Sequence, residues 1–225
     1  MSETVLLKQY KKEDIPDINL REVLRYAGFK GDESTVDDTL MALIHEVISQ
    51  SEKEITYKVV YVKSSKVLFN HESKNLNNLL KDCDEFIMFG ASLGIGIDRL
   101  IALNGRISPT KALLFQALGA ERIEALCDKF CLDEEDRLSE GQVITARYSP
   151  GYGDLPIEIQ KDFFRILDLN RKMGISLNES MLISPSKSVT AIMGIKSSDN
   201  CKNIKDWYKG KCENCPNTDC EYRGK

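Results

Sequence analysis

Residues 108–130, SPTKALLFQALGAERIEALCDKF, predict a long helix at the centre of the core. Ser108 offers a capping oxygen, and Pro109 suits the first helical position because its missing N–H would have no partner there. The first half of this helix is apolar on every side, with five residues crowded together: Leu113, Leu114, Phe115, Ala117 and Leu118. A helix without a polar face is normally buried, so we expect the other elements to pack around this one.

Helical and strand-like segments interleave on both sides of residues 108–130. The helical segments carry apolar residues at helical spacing or end at a glycine, and they are 20–26, 40–48, 76–80, 97–101 and 156–173. The strand-like segments are rich in β-branched and aromatic residues or alternate in polarity, and they are 55–62, 66–70, 85–89, 142–148, 175–183 and 189–195. Short turns at 63–65 and 184–187 predict two β-hairpins.

Several polar residues indicate where these elements begin and end. Residues 1–19 are polar and are expected to form an arm, and the acidic run Asp133–Asp136 is expected to be a loop. Asp154 is expected to cap the helix that begins near Pro156. The helix over 40–48 is preceded by capping oxygens on three residues: Asp32, Ser34 and Thr35.

The order of elements favours an α+β fold. The regular β-α-β rhythm of a parallel sheet is missing, and two hairpins are predicted. We therefore expect a mainly antiparallel twisted sheet with packed helices, followed by a Cys-rich C-terminal tail. The expected division is an N-terminal arm and short helix over 1–30, the α+β domain over 31–197 and the tail over 198–225.

The composition is that of an ordinary globular protein and excludes several classes. The 225 residues have a net charge of −4, with acidic and basic residues mixed along the chain, so nucleic acid is not an expected partner. No window approaches the roughly 18 consecutive apolar residues that a membrane span needs. The first residues, Met1-Ser2-Glu3-Thr4, do not lead into an apolar run, and we expect a cytoplasmic protein.

The glycine-rich segment 90–96, GASLGIG, joins a predicted strand to a predicted helix. It lacks the third glycine of a dinucleotide fingerprint and the Gly-Lys-Ser/Thr of a P-loop. A tight turn with close backbone packing is therefore the favoured interpretation, rather than a nucleotide site.

The segment Arg147-Tyr-Ser-Pro-Gly-Tyr-Gly153 is the strongest candidate for a ligand site. The guanidinium of Arg147 suits a carboxylate, and the ring of Tyr152 offers a face for adenine or for a cationic sulfonium. The glycines let the backbone approach a ligand closely. The spacing alone is equally consistent with a plain turn beside a surface arginine, because the proline and glycines of Pro-Gly-Tyr-Gly are typical of turns.

Three segments in order resemble a known family: Arg147–Pro156, Met173–Ser180 and Pro185–Gly194. Together they look like the activation domain of cobalamin-dependent methionine synthase. Ala117–Leu126 also resembles that family's long helix, so the similarity covers about residues 85–195. No single segment is specific, but the combination is.

This resemblance implies a domain that binds S-adenosylmethionine and docks on a partner carrying cobalamin. In the family, an oxidised, inactive cobalamin is restored by one-electron reduction coupled to methyl transfer from S-adenosylmethionine. The resemblance implies that Arg147 contacts this ligand, that Ser149, Gly151 and Tyr152 form the loop around its nucleoside, and that Glu124 receives its ammonium. No side chain is expected to act as a catalytic nucleophile or base.

Four cysteines crowd the tail and predict a metal site. Cys212, Cys215 and Cys220 have C-x2-C-x4-C spacing, and Cys201 is available as a fourth ligand. Zinc would be structural, whereas an iron–sulfur cluster is able to carry an electron; the spacing leaves both open, with the cluster slightly favoured. Unrelated thiols or disulfides are the alternative.

Two functions follow as expectations. The first is a separate subunit that reactivates a corrinoid methyltransferase in trans, with methionine synthase as the expected client. The electron is expected to come from a flavodoxin, from a ferredoxin or from the chain's own cluster. A vitamin-binding domain or a folate barrel would each need a further domain, which is why action in trans is expected. The second is a non-catalytic, metal-stabilised adaptor or sensor that binds a corrinoid protein without turnover.

Overall fold

The computed structural model describes residues 4–29 and 36–197. The strands are β1 (Leu6–Tyr10), β2 (Tyr57–Ser64), β3 (Glu85–Ser92), β4 (Gln142–Ile144), β5 (Ser176–Leu177), β6 (Ile183–Ser184) and β7 (Ser188–Ser197). The helices are α1 (Leu20–Tyr26), α2 (Asp38–Ser51), α3 (Lys74–Leu79), α4 (Gly96–Asn104), α5 (Pro109–Glu135), α6 (Gln160–Leu167) and α7 (Leu169–Met173). The four tail cysteines and the proposed caps at 32, 34 and 35 lie outside the described residues.

The main sheet has five antiparallel strands in the order β1-β2-β3-β7-β4. The α+β prediction with a mainly antiparallel sheet is therefore confirmed. A separate two-stranded ribbon pairs β5 with β6. The three inner strands are covered on both faces, which explains the unbroken apolar runs at their centres: 59–62, 86–91 and 191–195.

Alternate residues of the sheet belong to two different core clusters. Ile87 and Phe89 of β3 pack on the α5 side, where the rings of Phe89 and Phe130 have centroids 4.9 Å apart. Met88, between them in sequence, packs on the other side with α6 and α7. The first half of α5 extends beyond the sheet and is buried by α1, α2 and α4. The prediction of a central helix is thus correct, although Leu113 is 48% exposed.

The predicted hairpin over residues 55–70 is wrong. β2 continues through the proposed turn to Ser64, and 66–70 forms no strand. Its neighbours are β3 on one side and β1 on the other, so the expected N-terminal arm contains an edge strand. The predicted second hairpin is also different, because β6 pairs with β5 and not with β7.

Within the acidic run 133–136, the first three residues continue α5 and Asp136 is its C-cap, so the run does not form the expected loop. Glu134 is 0% exposed, and Lys63 of β2 lies 2.8 Å from its carboxylate. Arg137 contacts the same carboxylate. Two positive charges therefore compensate the buried negative charge, which allows the helix to run along the sheet to its end.

The glycines of segment 90–96 are needed for packing, as expected. A Cβ on Gly90, inside β3, would lie 2.8 Å from a methyl carbon of Leu169. A Cβ on Gly96, at the start of α4, would lie 2.3 Å from the carbonyl oxygen of Glu54. Both contacts are too short, so only glycine allows these elements to approach.

Candidate functional site

A cleft opens beside β7 where β4 ends. β4 ends at Ile144, although the backbone N–H of Thr145 still donates to the carbonyl of Gly194 on β7 over 2.9 Å. The next pairing with β7 is at Tyr148, which forms an isolated bridge with Ile192. The opening, here called the Arg147 cleft, has a volume of about 330 Å³. It is lined by Glu124, Arg147, Tyr148, Ser149, Pro150, Tyr152, Gln160, Ile183, Ser188, Val189 and Thr190. Four of the five predicted ligand-binding residues are therefore together, and the fifth, Gly151, lies between two of them in sequence.

Arg147 lies inside this cleft in a fixed orientation. A nitrogen of its guanidinium lies 2.9 Å from Glu124 and 2.8 Å from Asp128. The two carboxylates are one helical turn apart on α5 and so share a face. The arginine side chain is only 13% exposed. This environment differs from that of the surface arginine that the sequence alone left open.

The loop of residues 147–156, here called the Arg147 loop, depends on its two glycines. Gly151 has φ +90° and Gly153 has φ +54°, in the left-handed region. A Cβ on Gly151 would lie 2.8 Å from the Cδ1 of Ile157. The loop is closed by a hydrogen bond of 2.9 Å from the backbone N–H of Gly151 to the carbonyl of Leu155.

Tyr148 and Tyr152 form one wall of the cleft. The hydroxyl of Tyr148 donates to the carbonyl oxygen of Tyr152 over 3.1 Å. This bond fixes the loop backbone, while the side chain of Tyr152 is 70% exposed. The Tyr152 ring is thus free to cover a ligand that enters the cleft.

Asp154 anchors the Arg147 loop to α3. Its carboxylate accepts hydrogen bonds from the Ser73 hydroxyl and from the backbone N–H of Lys74, the latter over 2.7 Å. The hydrogen bond from Ser73 is the main reason why the pKa of Asp154 lies below its ordinary value. The prediction that Asp154 caps the helix after Pro156 is therefore wrong, because it contributes to the N-terminus of a different helix.

Helix α1 borders the acidic end of the cleft. The pKa of Tyr26 is raised, first by burial and then by the negative charge of Glu124. The guanidinium of Arg25 lies 4.2 Å from the centre of the Tyr26 ring, a cation–π contact. Arg25 also pairs with Glu22, so a second Arg–Glu pair lies on the helix that contributes Tyr26.

Sequence reasoning missed the polar residues at the other end of the cleft. Gln160 begins α6, and its carboxamide oxygen accepts a hydrogen bond of 2.7 Å from the hydroxyl of Thr190 on β7. Ser188 donates to Ser92 of β3 over 2.8 Å. The only sequence signal was the polar Thr190 within the apolar run Val189–Ile195.

The arrangement suits binding better than acid–base or nucleophilic catalysis. An arginine between two carboxylates is complementary to a zwitterion, since the guanidinium can hold a carboxylate and the acids can hold an ammonium. The thiol of Cys127, next to the cleft, is fully buried and its pKa is raised by that burial, which makes it a poor nucleophile.

Residues 4–29 and 36–197 contain no group of three or more metal-ligating side chains. Within these ranges, no helix is long and apolar enough to cross a membrane. Cavities of about 270 and 200 Å³ lie elsewhere, but neither includes any of the predicted ligand-binding residues.

Comparison with known proteins gives two findings. Residues 84–206, more than half of the chain, match the family model for the activation domain of vitamin B12-dependent methionine synthase. The fold is similar to a crystal structure of the MetH reactivation domain bound to AdoHcy, with a TM-score of 0.64 and 13% identity, over 92% of this chain and 86% of that one. No curated protein matches the sequence significantly. The family match includes all the residues that line the Arg147 cleft.

Proposed function

This chain belongs to the family of vitamin B12-dependent methionine synthase activation domains, and from this premise we propose that it binds S-adenosylmethionine in the Arg147 cleft. The ligand supplies a sulfonium methyl group for the reductive reactivation of a cobalamin-dependent methyltransferase. The protein supplies binding, orientation and charge complementarity.

The residues of the cleft fit this ligand. The volume of about 330 Å³ lies within the range of about 300–1,000 Å³ typical of small-molecule sites. Arg147 would hold the ligand's carboxylate and Glu124 its ammonium. Ser149, Gly151 and Tyr152 would surround the nucleoside, with the exposed ring of Tyr152 as its cover.

The observation that carries the proposal is the ion pairing of Arg147 inside a cleft. Glu124 and Asp128 hold the guanidinium from one side, at 2.9 and 2.8 Å. An arginine oriented in this way is prepared to accept a carboxylate without first losing side-chain entropy. A surface arginine in a plain turn would have no reason to be buried beside two acids.

Calorimetric titration with S-adenosylmethionine tests the proposal. We expect binding by the wild type and a loss of at least about tenfold in affinity for Arg147→Ala, since a hydrogen-bonded charge pair is worth about 1.5–3 kcal/mol. Arg165→Ala is the matched control, because Arg165 also forms an ion pair but lies exposed on α6. No heat with the wild type would favour the adaptor or sensor function instead.

We further propose that the partner is a separate corrinoid methyltransferase, and that a flavodoxin or ferredoxin supplies the electron. The support is the family membership together with the exposed rim of the cleft at Tyr152. The test is reactivation in trans: the purified chain, S-adenosylmethionine and a reduced flavodoxin are added to an oxidised methionine synthase that lacks its own activation domain. Recovery that requires all three components supports the proposal, and recovery without the chain overturns it.

A metal site in the tail remains a proposal that rests on the spacing of Cys201, Cys212, Cys215 and Cys220. Anaerobically purified protein distinguishes the two metals. A broad absorption at about 400 nm indicates an iron–sulfur cluster, whereas zinc gives a colourless protein that contains zinc in a stoichiometric amount. Metal-free protein with all four thiols titratable would contradict both.

A further inference from the structure

Gln160 carries a hydrogen-bond donor that no acceptor within residues 4–29 and 36–197 uses. The residue is 6% exposed, yet it lines the Arg147 cleft. Its oxygen accepts from the Thr190 hydroxyl at 2.7 Å, but its nitrogen has no hydrogen-bond partner among the described residues. This nitrogen is not one of the buried polar atoms that lack a partner, so solvent reaches it. Because Gln160 lines the cleft, we infer that the nitrogen is accessible from the cleft. Water can satisfy this donor in the free protein, but a ligand that fills the cleft and displaces that water must supply an acceptor, because a donor left unpaired in the complex costs about 1–3 kcal/mol.

Gln160 and Thr190 lie on the opposite face of the sheet from the charged end of the cleft. Along β7, Ala191 and Met193 pack in the cluster that contains α5. Ile192 packs in the cluster that contains α6. Since side chains alternate along a strand, Thr190 points to the α6 side. The cleft therefore wraps around the open edge of β7, with acids and arginine at one end and a carboxamide at the other.

The two ends differ in chemistry. Among the described residues that line the cleft, the charged ones are Glu124 and Arg147, and both lie at the α5 end. The α6 end has the neutral polar groups of Gln160, Thr190 and Ser188 beside the apolar side chain of Ile183. Such a surface suits a neutral, partly apolar group with hydrogen-bond acceptors.

We propose that Gln160 donates a hydrogen bond from its carboxamide nitrogen to an acceptor atom in the adenosine part of the ligand. Thr190 is a positioning residue, since its hydroxyl fixes the carboxamide with the oxygen turned away from the ligand and the nitrogen toward it. This inference rests on the proposed binding of S-adenosylmethionine. The amino-acid part of the ligand binds at the charged end of the cleft, and the nucleoside part binds at the Gln160 end.

Two probes separate the ends of the site. S-adenosylmethionine engages both, whereas 5′-methylthioadenosine lacks the amino acid and engages only the Gln160 end. Gln160→Glu is nearly isosteric and can still accept from Thr190, but it has no N–H donor. We expect it to weaken 5′-methylthioadenosine binding by about tenfold. Arg147→Ala is expected to weaken S-adenosylmethionine strongly and to leave 5′-methylthioadenosine within about twofold.

Thr190→Val and Thr190→Ser test the positioning role. Valine keeps the shape but loses the hydroxyl, so we expect a loss of about threefold to tenfold for 5′-methylthioadenosine, and serine is expected to restore wild-type affinity. This pair also serves if Gln160→Glu does not fold, as judged by circular dichroism. Affinity for 5′-methylthioadenosine that is unchanged in Gln160→Glu and in Thr190→Val overturns the inference while leaving the proposed function intact. A wild type that binds neither probe overturns both.

Discussion

Arg147 and Asp128 form an ion pair at the α5 end of the Arg147 cleft, with a guanidinium nitrogen 2.8 Å from a carboxylate oxygen. Glu124, one turn earlier on α5, lies 2.9 Å from the same nitrogen. One positive and two negative charges leave this end of the cleft with an excess of one negative charge. A ligand with a net positive charge is therefore favoured over a neutral one.

Asp128→Asn is expected to reduce discrimination between the methyl donor and its demethylated product. S-adenosylmethionine carries one more positive charge than S-adenosylhomocysteine, so it loses more when a nearby carboxylate is neutralised. We expect the ratio of the two affinities to fall by about threefold to tenfold, the range for a charge a few ångströms away in a partly hydrated site. Calorimetry with both ligands measures this ratio, and Asp162→Asn, at the exposed pair with Arg165, is the control. Equal losses for both ligands would contradict the electrostatic explanation.

Gly151→Ala is expected to destabilise the Arg147 loop more than a glycine substitution without steric conflict. Gly151 has φ +90°, and an added Cβ would lie 2.8 Å from Ile157. Gly141 has φ +81° but no atom within 4 Å of an added Cβ, so it reports the cost of the backbone conformation alone. We expect each substitution to cost about 1 kcal/mol for the backbone conformation, and Gly151→Ala to cost up to about 1 kcal/mol more, because the methyl that it meets is the end of a half-buried side chain that can shift. Urea unfolding measures both, and only Gly151→Ala is expected to weaken S-adenosylmethionine binding.

The acid stability of the protein is expected to depend on Asp133. Burial raises the pKa of this carboxyl, but hydrogen bonds donated by Lys129 and Lys8 outweigh that effect and lower the pKa to about 2. Tyr10 also donates to it over 2.9 Å. Because the folded pKa lies below the ordinary value of 3.8, the stabilisation is complete above about pH 4 and is lost as the pH falls toward 2.

The measurement is the free energy of unfolding of wild type and Asp133→Asn at several pH values. We expect a difference of about 1–2 kcal/mol at neutral pH, discounted for partial exposure, that shrinks steadily below pH 4. Asp162→Asn, at an exposed pair, is expected to show no such convergence. A difference between wild type and Asp133→Asn that stays constant down to pH 2 would rule out the titration of Asp133 as its cause.

The sequence predicts those elements whose stability comes from local pattern and burial. The helix that begins at Pro109 follows from the proline at its first position and from its apolar residues, although Ser108 makes no side-chain capping hydrogen bond. β1 was missed because it is an edge strand whose Leu6 and Leu7 are exposed, so no buried face appears in its sequence. The end of α5 was missed because Glu134 is buried only with the help of Lys63, which is distant in sequence.

The same limit applies to the site. Arg147 and the glycines of its loop were identified because a single continuous segment contains them. Gln160 and Thr190 were not, since one begins a helix and the other lies in the middle of a strand, and their hydrogen bond joins residues 30 positions apart. Asp154 was assigned to the wrong helix because a capping residue and its helix need not be adjacent in sequence.

Asp154→Ala is expected to weaken ligand binding as well as stability. The carboxylate connects the Arg147 loop to α3 through Ser73 and the backbone of Lys74. Without it the loop loses an anchor, so ligand binding must also order the loop, which lowers the affinity; in the wild type the loop is already ordered before binding.

The matched control is Asp37→Ala, which removes a cap of α2 that accepts from the Leu40 N–H at 2.7 Å, away from the cleft. We expect both variants to lower the melting temperature, and only Asp154→Ala to lower the affinity for S-adenosylmethionine. Because hydrogen bonding lowers the pKa of Asp154, its contribution is present at neutral pH and is lost as the carboxyl becomes protonated in acid. Equal affinities in wild type and Asp154→Ala would show that the loop keeps its binding conformation without this anchor.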